Sequence, residues 1–299
     1  MYGRIILGHD GTEQSRDALA LARLLASDGN RSVVVSHIIP RPPPFDARTR
    51  EYVKLVQAHD HSVLDPALAE LAGLRAEGRA LESASPARGL HELAEDEGAS
   101  LIVIGSTHRG PVGRVVLGSV GEILLAGTPV AVAVAPKGFA ARVPSAIRSV
   151  SAGFNRALEG HAALRTAAAL ASDLGAKLRA ITVDEGFARA RHPAKHRSDG
   201  DGSVEEELDR ALADLQAPDA ERVMLSGGAA ECLAEACSDS DLLVVGSRSY
   251  GPLHHTLLGS VSAKLMRSCP APLLVVPRGM ETSGPGTAAG PGALRRAGS

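Results

Sequence analysis

Two hydrophobic periods alternate along this chain. Arg4 to His9 (RIILGH) is a short apolar run, read as a buried strand, that stops at the turn Asp10-Gly11-Thr12. Ala18, Leu21, Ala22 and Leu25 then fall at i, i+3, i+4 and i+7, which predicts a helix that Gly29 is placed to stop. A second strand, Ser32 to Ile39, runs into Pro40-Arg41-Pro42-Pro43-Pro44, which fits only a stiff exposed loop. Helical spacing returns with Tyr52, Leu55, Val56, His59 and Val63, and beyond Pro66 with Leu68 and Leu71. The third strand, near Arg79 to Ser83, is polar enough for a sheet edge. Ser85 before Pro86 reads as a cap followed by proline at the first helical position, opening a helix to about Gly98. After the run Leu101 to Gly105 and a Gly/Pro loop, a helix starts near Ser119, and Pro129 precedes a last strand, Val130 to Ala135. Strands alternating with helices in this way call for an open parallel sheet covered on both faces.

The pattern then repeats. Residues 136 to 147 read as a linker, followed by a strand Arg148 to Gly153, a helix from about Ala157 to Leu174 and a strand Leu178 to Val183. A polar loop, 185 to 202, leads to Ser203 and Glu206, which are spaced as a capping box. The helix behind them runs to about Leu215, a strand covers Arg222 to Leu225, and a helix after Gly227-Gly228 runs through Cys237. The repetition is plainest where LIVIGSTHRGPVGRVVLGS (101 to 119) returns as LLVVGSRSYGPLHHTLLGS (242 to 260). Gly105 with Gly246, and Gly118 with Gly259, keep one offset of 141 residues in a chain of 299, which implies two copies of one domain in tandem. Expected boundaries are 1–138 and 147–279, with a linker at 139–146 and a disordered tail at 280–299, where Gly, Pro, Ala and Ser carry no period.

The duplicated stretch predicts a strand, a loop at its carboxyl end, and a helix whose N-terminus suits an anion. Ser119 reads as the cap of that helix and forms a capping box with Glu122, while Gly118 lets a ligand approach the backbone. A phosphate-binding P-loop is excluded, because Pro111 and Pro252 stand where the lysine belongs. No G-x-G-x-x-G or G-x-S-x-G is present either, so a dinucleotide fold of the usual type and a hydrolase elbow are not indicated.

Composition narrows the partners. A net charge of -2 and a pI near 6.6 supply no basic field, and 2% aromatic content without Trp supplies no base-stacking platform, so nucleic acid is not expected. No apolar run is long enough to span a bilayer and Met1 leads directly into a strand, so a cytoplasmic, membrane-free protein is expected. Cys232, Cys237 and Cys269 read as small hydrophobes in a reducing compartment; Cys232 and Cys237, five apart, fall on different helix faces and imply no redox pair. His59-Asp60-His61 and His254-His255 read as solvated polar positions and not as metal ligands.

The signature glycine, the Gly-Ser thirteen residues later, the opening strand with Asp-Gly-Thr, and the apolar close between prolines (Pro129 to Pro136, repeated as Pro272 to Pro277) resemble the universal stress protein family. The resemblance covers residues 2 to 136 and 147 to 278. It implies a Rossmann-like, adenine nucleotide alpha hydrolase-like fold in each half, a five-stranded parallel sheet with helices on both faces. By the same resemblance Asp10 meets the nucleoside of ATP, and Gly105, His108, Gly118, Ser119 and Val120 stand at the phosphate positions. Gly246, Gly259, Ser260 and Val261 are their counterparts in the second half. Mg2+ is expected only with the nucleotide.

Three positions depart from the family pattern: His108 and Ser249 replace the second signature glycine, and Asn155 replaces the aspartate. The expected function is nucleotide-dependent stress signalling through protein partners, with the first domain as the main site. No positioned base or nucleophile supports an efficient enzyme. The alternative is a nucleotide-free interaction module with degenerate sites. An adenylyl-transfer enzyme would need a different loop from His9-Asp10-Gly11-Thr12. The two halves are expected to pair through their apolar last strands, Val130 to Ala135 and Leu273 to Val276, as an intramolecular pseudo-dimer, alone or within a homodimer.

Overall fold

The computed structural model describes residues 3–40, 50–107, 112–184, 203–247 and 260–277, with side-chain detail for all of these except 40 and 50–58. In the first half the order is β1 (Arg4–Gly8), α1 (Glu13–Leu25), β2 (Ser32–Pro40), α2 (Arg50–Glu70), β3 (Arg75–Ser83), α3 (Pro86–Asp96), β4 (Leu101–Gly105), α4 (Ser119–Gly127) and β5 (Ala131–Ala135). The second half follows as β6 (Ser149–Phe154), α5 (Leu158–Leu174), β7 (Lys177–Asp184), α6 (Val204–Asp214), β8 (Glu221–Ser226), α7 (Ala229–Ala236), β9 (Leu242–Gly246), α8 (Ser260–Ser268) and β10 (Leu273–Val276). Pro40, expected in the exposed loop, instead ends β2 at the register of Ser83, while residues 41–49 of the Pro-rich loop, the 185 to 202 loop, most of the second signature loop and the tail lie outside the described residues.

The described strands form one ten-stranded sheet in the order β3-β2-β1-β4-β5-β10-β9-β6-β7-β8. Pairing is parallel within each half, and the halves meet where β5 and β10 pair antiparallel, with Leu273, Leu274 and Val275 opposite Val134, Ala133 and Val132. These are the two apolar terminal strands, whose unpaired backbones would otherwise form sticky edges. The outer edges are β3 and β8, and β3 shows the half-exposed pattern its polar sequence suggested. β3 begins at Arg75, four residues before the stretch expected from the sequence, because the nine-residue partner β2 continues the ladder down to Ser32.

Alternation within the strands decides which face each residue joins. Ile5, Leu7, Leu101, Val103, Ala131 and Ala133 bury on one face with α1, α2, α5 and α6, and Ile6, Ile102, Ile104, Val132 and Val134 on the other with α3, α4, α7 and α8. Each face carries residues from both halves, so the cores are continuous across the junction. The segment between the halves is folded onto this core: Phe139 and Ile147 are buried, and a 3-10 turn spans Ala140–Arg142. Buried Asp17 of α1 holds it by accepting from the Gly138 and Ala140 amides at 2.7 and 2.8 Å.

Helix caps follow the sequence at two of three positions. The Ser85 hydroxyl accepts from the Arg88 amide, and Ser203 with Glu206 forms a complete capping box. The box expected from Ser119 and Glu122 is absent. Gly118 is the cap residue of α4 with extended backbone, no side chain caps the helix, and Ser119 is its first helical residue. The Glu122 amide bonds to the Gly118 carbonyl at 3.0 Å, so the first helical turn begins one residue earlier than the Ser/Glu spacing suggests.

Candidate functional site

β1 is flanked by β2 on one side and β4 on the other, so the chain reverses direction across the sheet between β1 and β4. A crevice at the carboxyl ends of such strands is the usual ligand position in open α/β sheets. The β1 end brings His9, Asp10 and the start of α1 there, and the β4 end brings Ser106 and Thr107.

Asp10 Oδ1 accepts from the Thr12 amide at 3.1 Å and from the Thr12 hydroxyl at 2.6 Å, and Gly11 between them takes φ +80°. Thr12 in turn caps α1 by accepting from the Ser15 amide at 3.3 Å. Partial burial alone would raise the Asp10 carboxyl, but the Thr12 hydroxyl and amide outweigh it and hold the group below its ordinary pKa. The result is an ionised carboxylate on a rigid turn. Behind it, His9 is buried with Nδ1 3.2 Å from the Ser15 carbonyl, and its amide donates to Ser36 at 2.9 Å.

Sequence reasoning missed a second polar group beside this turn. His37, at the end of β2, is buried with Nδ1 3.4 Å from Asp60 Oδ1 on α2, and its ring meets His59 edge to face at 5.3 Å. Asp60 therefore turns inward, whereas His59 and His61 stay exposed as expected of a solvated face. Among the described residues, neither His37 Nδ1 nor Asp60 Oδ1 has a well-aligned hydrogen-bond partner. Burial lowers the pKa of His9 and of His37, so both rings favour the neutral form. No short-range spacing links positions 37 and 60. Only the packing of α2 on β2 does.

The signature glycines divide into two kinds. A Cβ on Gly105 would stand 1.9 Å from the Gln14 carbonyl oxygen, and one on Gly246 would stand 2.6 Å from Glu159 Cβ. Both are needed where the first turn of α1 or α5 crosses the end of β4 or β9, a packing requirement independent of any ligand. Gly118 differs. Its φ of -95° suits any residue, and an added Cβ would approach Thr107 no closer than 3.5 Å. Among the described residues nothing gives a reason for glycine there.

Around Gly118 the loop is held by Ser106, whose hydroxyl donates to the Ala135 carbonyl at 2.7 Å and accepts from the Val116 amide at 3.2 Å. The Thr107 amide donates to Val116 at 2.7 Å. The duplicated Gly-Ser of both signatures was the sequence clue to this tie: the Ser106 amide donates to the Ala135 carbonyl at 3.0 Å, and the Ser247 amide repeats that bond to the Val276 carbonyl at 2.9 Å. Ser119 is exposed and Val120 half-buried in the uncapped first turn, whose leading amides have no acceptor within the helix. His108 lies outside the described residues, as do Ser249, His254, His255 and Gly259; Ser260 and Val261 open α8.

In the second half, Asn155 Oδ1 accepts from the Ala157 amide at 3.2 Å, the same turn as at Asp10 without its charge. Next to it, Arg156 and His161 both bind Glu207 of α6, at 2.7 and 3.0 Å. Burial works against the Glu207 carboxylate, yet the bonds from His161 and Arg156 hold its pKa below the ordinary value. An ion-paired group therefore ties the end of β6 to α6. Among the described residues, no cluster of three His, Cys, Asp or Glu is arranged for a metal ion, and no helix is long and apolar enough to cross a membrane.

Comparison with known proteins agrees with this architecture. The universal stress protein family matches residues 1–136 and 148–277. A universal stress protein of Mycobacterium tuberculosis is 28% identical, covering 91% of this chain and 99% of its own. A universal stress protein of Thermus aquaticus is 29% identical over 131 residues, covering 43% of this chain and 95% of its own. The crystal structure of a universal stress protein from Archaeoglobus fulgidus shares the fold with a TM-score of 0.70 at 21% identity, over 92% of this chain and 98% of that one. With both halves matched and the tandem sheet in place, this chain belongs to the universal stress protein family.

Proposed function

We propose that this protein binds an adenine nucleotide, ATP, mainly in its first domain, and acts in stress signalling through protein partners. The observation that carries the reading is Gly118: a glycine with no packing or conformational reason among the described residues, at the start of α4, whose first turn has no side-chain cap among them. Asp10 supports it as an ionised acceptor suited to ribose hydroxyls. The nucleotide's phosphates would lie along Gly118, Ser119 and Val120, with Mg2+ accompanying the nucleotide alone. The second domain is the weaker site, because Asn155 lacks the charge and the Arg156–Glu207–His161 group stands beside it. On this reading the two domains form an intramolecular pseudo-dimer in the cytoplasm, and binding rather than turnover is the activity.

The test is equilibrium titration of the full chain with labelled ATP, since the halves share one sheet. Gly118→Ala leaves the fold intact but projects a methyl group at the phosphates, so it weakens binding by about tenfold or more. A wild-type chain without measurable binding would favour the nucleotide-free module, and equal affinity in wild-type and variant chains would place the bound nucleotide away from Gly118.

A further inference from the structure

The two cysteines that meet are not the two that are close in sequence. Cys237 begins the 3-10 turn Cys237–Asp239 behind α7, and Cys269 follows α8. Both are fully buried, and their sulfurs stand 3.2 Å apart as free thiols, closer than ordinary sulfur contact. Cys232, which the sequence placed nearest, bonds weakly to the Ser226 carbonyl at 3.8 Å and takes no part.

We infer that Cys237 and Cys269 form a redox site, a dithiol that a small hydroperoxide converts to an intramolecular disulfide. The chemistry is asymmetric. The hydrogen bond from Cys269 lowers the pKa of Cys237, with the positive charge of Arg114 adding to it, whereas that same bond and burial raise Cys269 well above its ordinary value. Cys237 is the nucleophile and Cys269 the resolving thiol.

In the first step the Cys237 thiolate attacks the terminal hydroxyl oxygen of the hydroperoxide, the O–O bond breaks, and hydroxide (from hydrogen peroxide) or alkoxide leaves, giving a sulfenic acid. In the second, Cys269 sulfur attacks the sulfenic sulfur; its proton goes to the departing hydroxyl, and water leaves as the S–S bond forms. Two thiols are oxidised by two electrons and one hydroperoxide is reduced. A dithiol reductant reverses the change by thiol–disulfide exchange.

Access and consequence both follow from position. A cleft of about 190 Å3 is lined by Ser238, Pro270 and Ala271, which directly follow the two cysteines, by Asp241, and by Phe139 and Arg142 of the inter-domain segment. It admits a small oxidant to the back of the site when the single 3-10 turn opens. The ring closed by the disulfide contains β9, the second signature loop and α8. Its Cys269 carbonyl also accepts from the Val115 amide of the first domain at 2.9 Å, and Arg114 donates to the neighbouring Ser268 carbonyl. The dithiol thus lies where the second signature helix ends against the first signature loop.

The experiment exposes the full chain carrying Cys232→Ser to hydrogen peroxide under native conditions, then alkylates in denaturant and measures intact mass and peptide maps. The expected product is lighter by about 2 Da before alkylation, has lost both alkylatable thiols, and maps to a Cys237–Cys269 cross-link that dithiothreitol removes. With Cys269→Ser, oxidation should stop at a Cys237 sulfenic acid trapped by dimedone. Should that variant not fold, the cross-link map of the wild-type chain decides alone. Sulfinic or sulfonic products without a cross-link, a cross-link between chains, or two thiols still alkylatable after exposure would overturn the inference.

Discussion

Arg31, in the first half, donates to Asp173 of the second at 2.5 Å while fully buried. Its guanidinium also meets Asp28 at 2.7 Å and the Leu25 carbonyl at 2.9 Å, so one side chain joins the C-terminal end of α1 to that of α5. Removing it leaves the nearly buried Asp28 carboxylate without its partner. Arg31→Ala should therefore cost about 3 to 5 kcal/mol in urea unfolding, whereas Asp173→Ala, at the more exposed end, should cost about 1 kcal/mol. Equal costs would show that the bridge and not the stranded carboxylate dominates.

The two signature glycines should separate cleanly by stability. Gly105→Ala drives a methyl group into the Gln14 backbone and should lose about 3 kcal/mol, with a clear fall in melting temperature. Gly118→Ala meets only Thr107 at ordinary distance and should lose less than about 1 kcal/mol, mostly from the poorer cap. Thermal melts of the two variants side by side check this.

Asp10→Asn should keep the fold, because Asn155 already makes the same turn with a neutral amide. Replacing a charged acceptor with a neutral one should weaken ATP binding by about tenfold. The lowered pKa also sets an acid limit. Stability from the ionised Asp10 bonds is complete above the unfolded value of about 3.9 and is lost as pH falls through the folded value below it. Asp10→Asn should flatten the stability profile in that window, measured by urea midpoints between about pH 5 and 2.

His9 and His37 act at milder pH and with the same sign. Burial depresses both, so between the folded values and about 6.5 the unfolded chain binds protons that the folded chain does not. Stability should therefore decline as pH drops below about 6.5, partly offset by Asp10, Glu70 and Asp60, which favour the protonated rings. His37→Gln should reduce the slope of the urea midpoint between about pH 7.5 and 5.5, and an unchanged slope would assign it elsewhere.

The order of strands and helices was legible in the sequence because each element writes its own period into a few consecutive residues. Ile5 to Leu7 and Ala18 to Leu25 needed no knowledge of the rest of the chain, and the 141-residue offset exposed the duplication. Even the meeting of the halves followed from local character, since two short apolar strands cannot remain as edges. Spacing misled where one residue mattered, as at Ser119, because the loop after β4 hands the cap to Gly118. What crossover connections bring together has no local pattern. Tertiary structure alone placed Asp60 against His37, the Gln14 carbonyl over Gly105, Arg31 on Asp173, and Cys237 beside Cys269 rather than near Cys232. Each of those pairs is set by which helix packs over which strand end, a choice made by the whole sheet and by no single stretch of it.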